Sequence, residues 1–332
     1  MEKGLSRETA SIIRLFVLTT LLLGCHASSA QDKVYPEQRQ YGGTTHSQPA
    51  SPATQVMLQF PDTSVGRLYL LAANDAVKTI GKGINARGTV SLPKGYKYRL
   101  VLGGVEKTGC QFLDNLPPDS IGCIDTRSSI SITDDCIRRL GHLTALRAII
   151  LDNTEVSGHA LSSLSRCKNI ETFSAGGTAI TGAGLATICQ FPKLHTLSLA
   201  YTKLTDRSLA KLQVLQYLRD LKISYTGVTS LGVINLAPLT TLRQLDLSGN
   251  IGVDDRIAKV VSKLPHLRRL NLDRTKITKG TIEALRQAQE LNKLVISEQK
   301  GISSAAIKAL LPHCVVEIKG SGIEEEMFAP LK

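Results

Sequence analysis

Tryptophan is absent from this 332-residue chain, and eight tyrosines, six phenylalanines and three methionines are all it has of other large, adaptable side chains. A core organised around big aromatic anchors is therefore excluded, and the apolar 42% has to pack as layers of Leu, Ile, Val and Ala. None of the seven cysteines stands in a C-x-x-C pair or beside histidines at a ligand spacing, which argues against zinc. Gly81-Lys82-Gly83 lacks the frame of a phosphate loop and reads as a turn. His142, His266 and His313 have no Ser or Cys partner at a readable spacing, so the reading is non-catalytic, with no metal and no cofactor. Acidic residues are in deficit, 28 against 40 Lys and Arg, for a formal charge of +12. Such a field bears first on solubility; it also suits an envelope protein resting on an anionic polymer, without any motif for specific nucleic-acid recognition.

The first residues read as an export signal. Residues 1 to 24 join Lys3, Arg7 and Arg14 to the apolar run Leu15 to Leu23, too short to span a bilayer but suited to a signal peptide. Leu22-Leu23-Gly24-Cys25 resembles the bacterial lipobox, which implies lipid attachment at Cys25 and a membrane anchor at the cell envelope. Ser28-Ser29-Ala30 is a competing site of ordinary cleavage, which would give a secreted chain. Residues 25 to 55, rich in Gln, Gly, Ser, Thr and Pro, read as a flexible tether. Residues 56 to 118 carry short alternating runs and read as a small β module that shields the first face of a periodic array; Thr89 to Leu92 and Tyr96 to Leu102, joined across Pro93-Lys94-Gly95, suggest a hairpin.

From 119 to 318 the chain is periodic. Leu146, Ile170, Leu194, Leu218, Leu242, Leu267 and Leu291 lead units of 24 or 25 residues, with Val315 in the same frame and a degenerate earlier unit at Ile121, for about eight units before a tail at 319 to 332. Leu197/Leu199, Leu221/Ile223, Leu245/Leu247 and Leu270/Leu272 alternate with polar residues, as a strand with one buried face does. Thr205-Asp206, Thr229-Ser230, Asp254-Asp255 and Thr278-Lys279 then precede apolar residues at helical spacing, as N-caps do. The column Thr154, Thr178, Thr202, Thr226, Asn250, Thr275, Gln299 falls at the turn, where a side chain is needed to bond loop backbone.

The outline L-x-x-L-x-L-x-x-T-x-L-T-D-x-x-L-x-x-L resembles the leucine-rich repeat, closest to the cysteine-containing type with its T-D-x-x-L helix. The resemblance implies an α/β right-handed solenoid, short parallel strands concave and helices convex, with a scaffold shared across the family and a variable partner. On the strands, the residues between the leucines should face the concavity, and Tyr201 and Tyr225 should stack at one of its edges. Ser198, Tyr201, Lys222, Tyr225, Asp246, Arg269, Asn271 and Arg274 are the candidate ligand-binding residues, and Asp220, Asp246 and Asp273 should pair with Lys222 and Arg269. Cys110 and Cys123 bracket the junction of module and array, where an oxidised pair would staple the two; Cys136 and Cys314 read as buried thiols, and Cys167 and Cys189 lie two residues out of register. The expected function is a protein- or glycan-binding module displayed at the envelope, the alternative a secreted effector or adaptor engaging host or competitor proteins.

Overall fold

The computed structural model describes residues 55 to 320 apart from 128, 130 and 299 to 302. The expected signal peptide, Cys25, the expected tether, Gln299 and the expected tail beyond 320 lie outside the described residues.

Nine short strands run in parallel, one per turn of a right-handed solenoid: β6 (Ile121–Asp125), β7 (Ala148–Ile150), β8 (Thr172–Ser174), β9 (Thr196–Ser198), β10 (Asp220–Lys222), β11 (Gln244–Asp246), β12 (Arg269–Leu272), β13 (Lys293–Ser297) and β14 (Val315–Lys319). Their middle residues stack in register as Ile124, Ile149, Phe173, Leu197, Leu221, Leu245, Leu270 and Leu294, all essentially inaccessible to water. One frame differs from expectation: Val315 pairs with Lys293, so it stands two residues further along the unit than Leu291 does. The shift is even, which keeps Val316 and Ile318 on the inner side with Leu294 and Ile296.

The turn column behaves as its chemistry requires. Thr154, Thr178, Thr202, Thr226 and Thr275 each donate a hydroxyl to the carbonyl three residues back, at 2.6 to 2.9 Å. Buried Asn250 does more. Its Nδ2 donates to Ile223 and Leu247 carbonyls, and its Oδ1 accepts from the amides of Thr226 and Gly227.

The convex halves are short α or 3-10 turns, such as the helices Asp206–Leu209 and Lys279–Ala284 and the 3-10 segment His159–Arg166. Thr205, Thr229, Asp254, Thr278 and Ser303 cap their own helices, whereas Thr133 and Thr181 make no side-chain cap bond. The neighbouring aspartate has a different task from capping its own helix. Asp206 accepts from the amide and hydroxyl of Thr229 at 2.7 and 2.6 Å, and Asp255 and Asp134 treat Thr278 and Ser157 alike. Each carboxylate thus reaches forward to the next unit, Asp206 and Asp255 to its cap and Asp134 to the residue before Gly158, which opens the segment His159–Arg166.

At the other end, β5 (Tyr98–Leu102) adds to β6 in parallel, and β2 (Gly66–Leu71) and β3 (Thr79–Asn85) extend the same sheet antiparallel, so twelve strands form one sheet. The expected hairpin does not form. β4 (Thr89–Pro93) pairs with β1 (Gln55–Gln59) in a separate sheet, because β5 is taken up by β2 and β6, and the Pro93-Lys94-Gly95 turn carries the chain between two sheets instead of between partners. Their inner faces share one core through Leu58, Phe60, Val90, Leu92, Leu100 and Ile124. Gly81-Lys82-Gly83 is likewise not a free turn: it lies within β3 opposite a bulge, and the Tyr69 ring occupies the space a side chain at Gly83 would need.

The cysteine pairing also differs. Cys110 is bonded not to Cys123 but to Cys136, the expected free thiol, which lies on the helix Asp134–Arg138 of the first unit. Cys123 alternates with core-facing Ile124, so its side chain lies on the opposite side of the sheet, out of reach; burial pushes its thiol up to about 12. At a sequence separation of 26, the Cys110–Cys136 bond holds module and first unit together by ~3 kcal/mol. Cys167, Cys189 and Cys314 are free thiols.

Candidate functional site

Alternation along each strand turns two columns away from the core. One runs Ala148, Thr172, Thr196, Asp220, Gln244, Arg269, Lys293; the other Ile150, Ser174, Ser198, Lys222, Asp246, Asn271, Val295. The concave face they form is not open along its whole length. Leu71 and Ala76, with Val77 against them, cover Cys123, Ala148 and Ile150 in a second apolar cluster, and Arg99 ties that loop down by donating to the Val77 carbonyl at 2.8 Å. Beneath it, burial works against the charge of Asp125, but hydrogen bonds from Arg127 and Arg99 outweigh it and hold the carboxyl below its ordinary range. The N-terminal module therefore closes the first units, and the accessible face starts near β8.

Along one edge of that face runs a column in which every residue has left-handed backbone: Asn153, Gly177, Tyr201, Tyr225, Gly249 and Arg274, with φ between 52° and 71°. The repeat imposes this turn, since the amides of Asn153, Gly177, Tyr201, Tyr225 and Gly249 each donate to a carbonyl of the next unit. Glycine adopts it freely and asparagine tolerates it, but a bulky side chain there costs ~1–2 kcal/mol. Tyr201 and Tyr225 nevertheless occupy it side by side, rings stacked 4.7 Å apart and 6° from parallel. Tyr225 lies across Gly249, where an added Cβ would fall 2.4 Å from its ring, and its hydroxyl accepts from Arg274 Nη1 at 3.2 Å. Packing desolvates the Tyr201 phenol and, with Tyr225 beside it, raises its pKa, so the hydroxyl stays a neutral donor. Tyr201 is still 61% exposed.

The other candidates lie on the strands between. Lys222, Asp246, Arg269 and Asn271, with Gln244 and Lys293, line a shallow depression of about 180 Å³. Ser198 stands one strand away, beside Lys222 in the ladder. The expected ion pairing of Lys222 and Arg269 does not occur. Asp246 is turned back to the amide and hydroxyl of Ser248, Asp220 accepts from Thr196, and Asp273 pairs instead with Lys319 at 3.6 Å. Both cations are exposed and, among the described residues, neither has an ion-pair partner. Arg219, Arg243 and Arg268, one residue ahead of β10, β11 and β12, continue the charge along the edge where strands begin. Strand alternation assigns them to the inner side and so passes over them, although at the first residue a long side chain clears the core.

A larger recess of about 410 Å³ lies near the module, lined by Lys97, Arg147, Glu171 and Lys193 among others. Its cations are engaged: Arg147 holds Glu171 through two bonds of 2.9 Å, Lys193 donates to Asn169, and Lys97 to the Asp119 carbonyl. Among the described residues no group of His, Cys, Asp and Glu is placed to hold a metal ion.

No protein-family model matches this chain, and no curated protein matches it in sequence. Among solved structures it is similar to internalin C2 from Listeria monocytogenes, at 22% identity and a TM-score of 0.50, over 61% of this chain and 82% of that one. The likeness concerns the fold, a leucine-rich-repeat solenoid.

Proposed function

We propose that the chain is a non-catalytic binding module that holds a protein partner on its concave face, with Tyr201, Tyr225 and Arg274 as anchors. The observation that carries this is the strain at the edge column. Gly177 and Gly249 show that the scaffold needs no side chain there, yet exposed Tyr201, half-buried Tyr225 and, one unit beyond Gly249, exposed Arg274 accept left-handed backbone. Unfavourable backbone held at an exposed cluster is characteristic of functional sites, and Tyr and Arg are the side chains that dominate interface energetics. The depression beside them is smaller than the ~300–1,000 Å³ of small-molecule sites, which suits a macromolecular surface.

Tyr201→Gly/Tyr225→Gly tests this, because glycine keeps the turn. Relief of strain offsets the lost stack of ~0.5–1.5 kcal/mol, so the thermal transition should barely move. Partner recovered by cross-linking on intact cells should fall about tenfold, equivalent to ~1.4 kcal/mol. Undiminished recovery moves the site off this edge.

Display at the envelope through lipid on Cys25 is part of the same proposal. The Cys110–Cys136 bond supports it, since such bonds persist in oxidising compartments. Labelled palmitate should enter the wild-type chain and vanish from Cys25→Ser; a wild-type chain without label ends this part of the reading and leaves secretion.

A further inference from the structure

We infer that the partner is an acidic protein segment, seated against a cationic ridge along the edge of the concave face where the strands begin. This rests on the reading of that face as the binding surface. The ridge consists of Arg219, Arg243 and Arg268 in successive units, joined by Arg269 and Lys293 one residue further and by Lys222 beyond them; all six are exposed. Adjacent strands lie only ~4.8 Å apart, so these are like charges on neighbouring rungs, an arrangement that lowers stability.

Elsewhere the same column neutralises itself, as Arg147 does with Glu171. On the ridge, Arg268 has Glu290 and Lys293 has Glu317, but among the described residues Arg219, Arg243, Arg269 and Lys222 have no ion-pair partner. The field reaches beyond the ridge: burial, and next the Arg219 charge, depress the pKa of His195 in the preceding unit. The Arg219, Arg243 and Arg269 guanidinium groups are thus left facing solvent among the described residues. Their planar forks suit carboxylates, which they bind through paired hydrogen bonds.

The charge pattern favours a polypeptide over a uniform polyanion. Asp220 and Asp246 stand just inside the ridge, where a polymer charged on every monomer would meet them. A protein segment places its carboxylates on the arginines and neutral or basic side chains opposite the aspartates. The depression between Lys222, Arg269 and Lys293 has room for a side chain of such a segment.

Binding of a fluorescein-labelled peptide alternating Glu and Ser, followed by anisotropy near physiological salt, tests the inference. The unlabelled comparison is an oligogalacturonate of matched charge. The Arg219→Glu/Arg243→Glu variant should bind the peptide about tenfold more weakly than wild type. Lys259→Glu/Lys263→Glu, the same charge change on the helical side, should bind it nearly as wild type does. Thermal melts confirm that both variants fold. The inference is overturned if the peptide does not bind wild type, if the two variants lose affinity equally, or if ridge substitution has no effect. Tighter binding of oligogalacturonate assigns the ridge to acidic polysaccharide and overturns it too. Should the ridge prove indifferent while Tyr201→Gly/Tyr225→Gly still lowers partner capture, the binding face stands and only its charge preference falls.

Discussion

Replacing Leu221 with aspartate should unfold the centre of the array at a cost of more than ~4 kcal/mol, placing it among the exceptional single substitutions. Leu221 is fully buried, with Leu197 and Leu245 beside it in the ladder. The change forfeits ~1.5–3 kcal/mol of apolar burial and adds a carboxyl with no partner in the layer, which must be buried charged or take up a proton. A solenoid contacts only its neighbours, so loss of one layer separates the stack into two shorter pieces. Denaturant unfolding should show a lower midpoint and a broader transition than for Leu221→Ala, which costs ~2–5 kcal/mol and leaves the layer dry. An unchanged midpoint in the aspartate variant would mean that Leu221 does not face the core.

Asn250→Ala should be the largest single effect from a polar residue, ~3 kcal/mol. Both of its acceptor carbonyls keep other donors, since Thr226 Oγ1 reaches the Ile223 carbonyl at 2.9 Å and the Asn250 main-chain amide points to Leu247. The amides of Thr226 and Gly227 lose their acceptor, at ~1–3 kcal/mol for each orphaned group. Asn250→Thr, the residue used in neighbouring units, should recover no more than ~1 kcal/mol: its hydroxyl can repeat the bond to Leu247, as Thr202 does to Leu199, but does not span two units. Equal thermal midpoints for Asn250→Ala and wild type would show that water takes the place of the amide.

The solenoid is legible in the sequence because its leucines are held by packing on both sides, which leaves a period no local preference disturbs. The left-handed edge is legible in principle as well: Asn153, Gly177 and Gly249 share a column with Tyr201 and Tyr225, and that mixture signals positive φ. Pairings are harder. Pro93-Lys94-Gly95 announces a reversal without saying which strand lies across it, because the competition between β2, β4 and β6 for β5 is settled in three dimensions. For the cysteines the residues do carry a usable signal, since Cys123 is adjacent to Ile124 in a strand and must point away from the core side. Arg219, Arg243 and Arg268 are hidden by the alternation rule itself, which says where a side chain starts and not how far it reaches.

The forward-reaching carboxylates give the array a direction. Because Asp206 serves the cap of the following unit at Thr229, and Asp255 that at Thr278, trimming units from the C-terminal end leaves every remaining cap with its acceptor. Trimming from the N-terminal end so that the unit of Thr229 or of Thr278 comes first strips that unit of the carboxylate its cap bonds. Shortened versions of this solenoid are therefore not equivalent: their tolerance to truncation depends on which end is cut, and the costly end is the one that the module and the Cys110–Cys136 bond already secure.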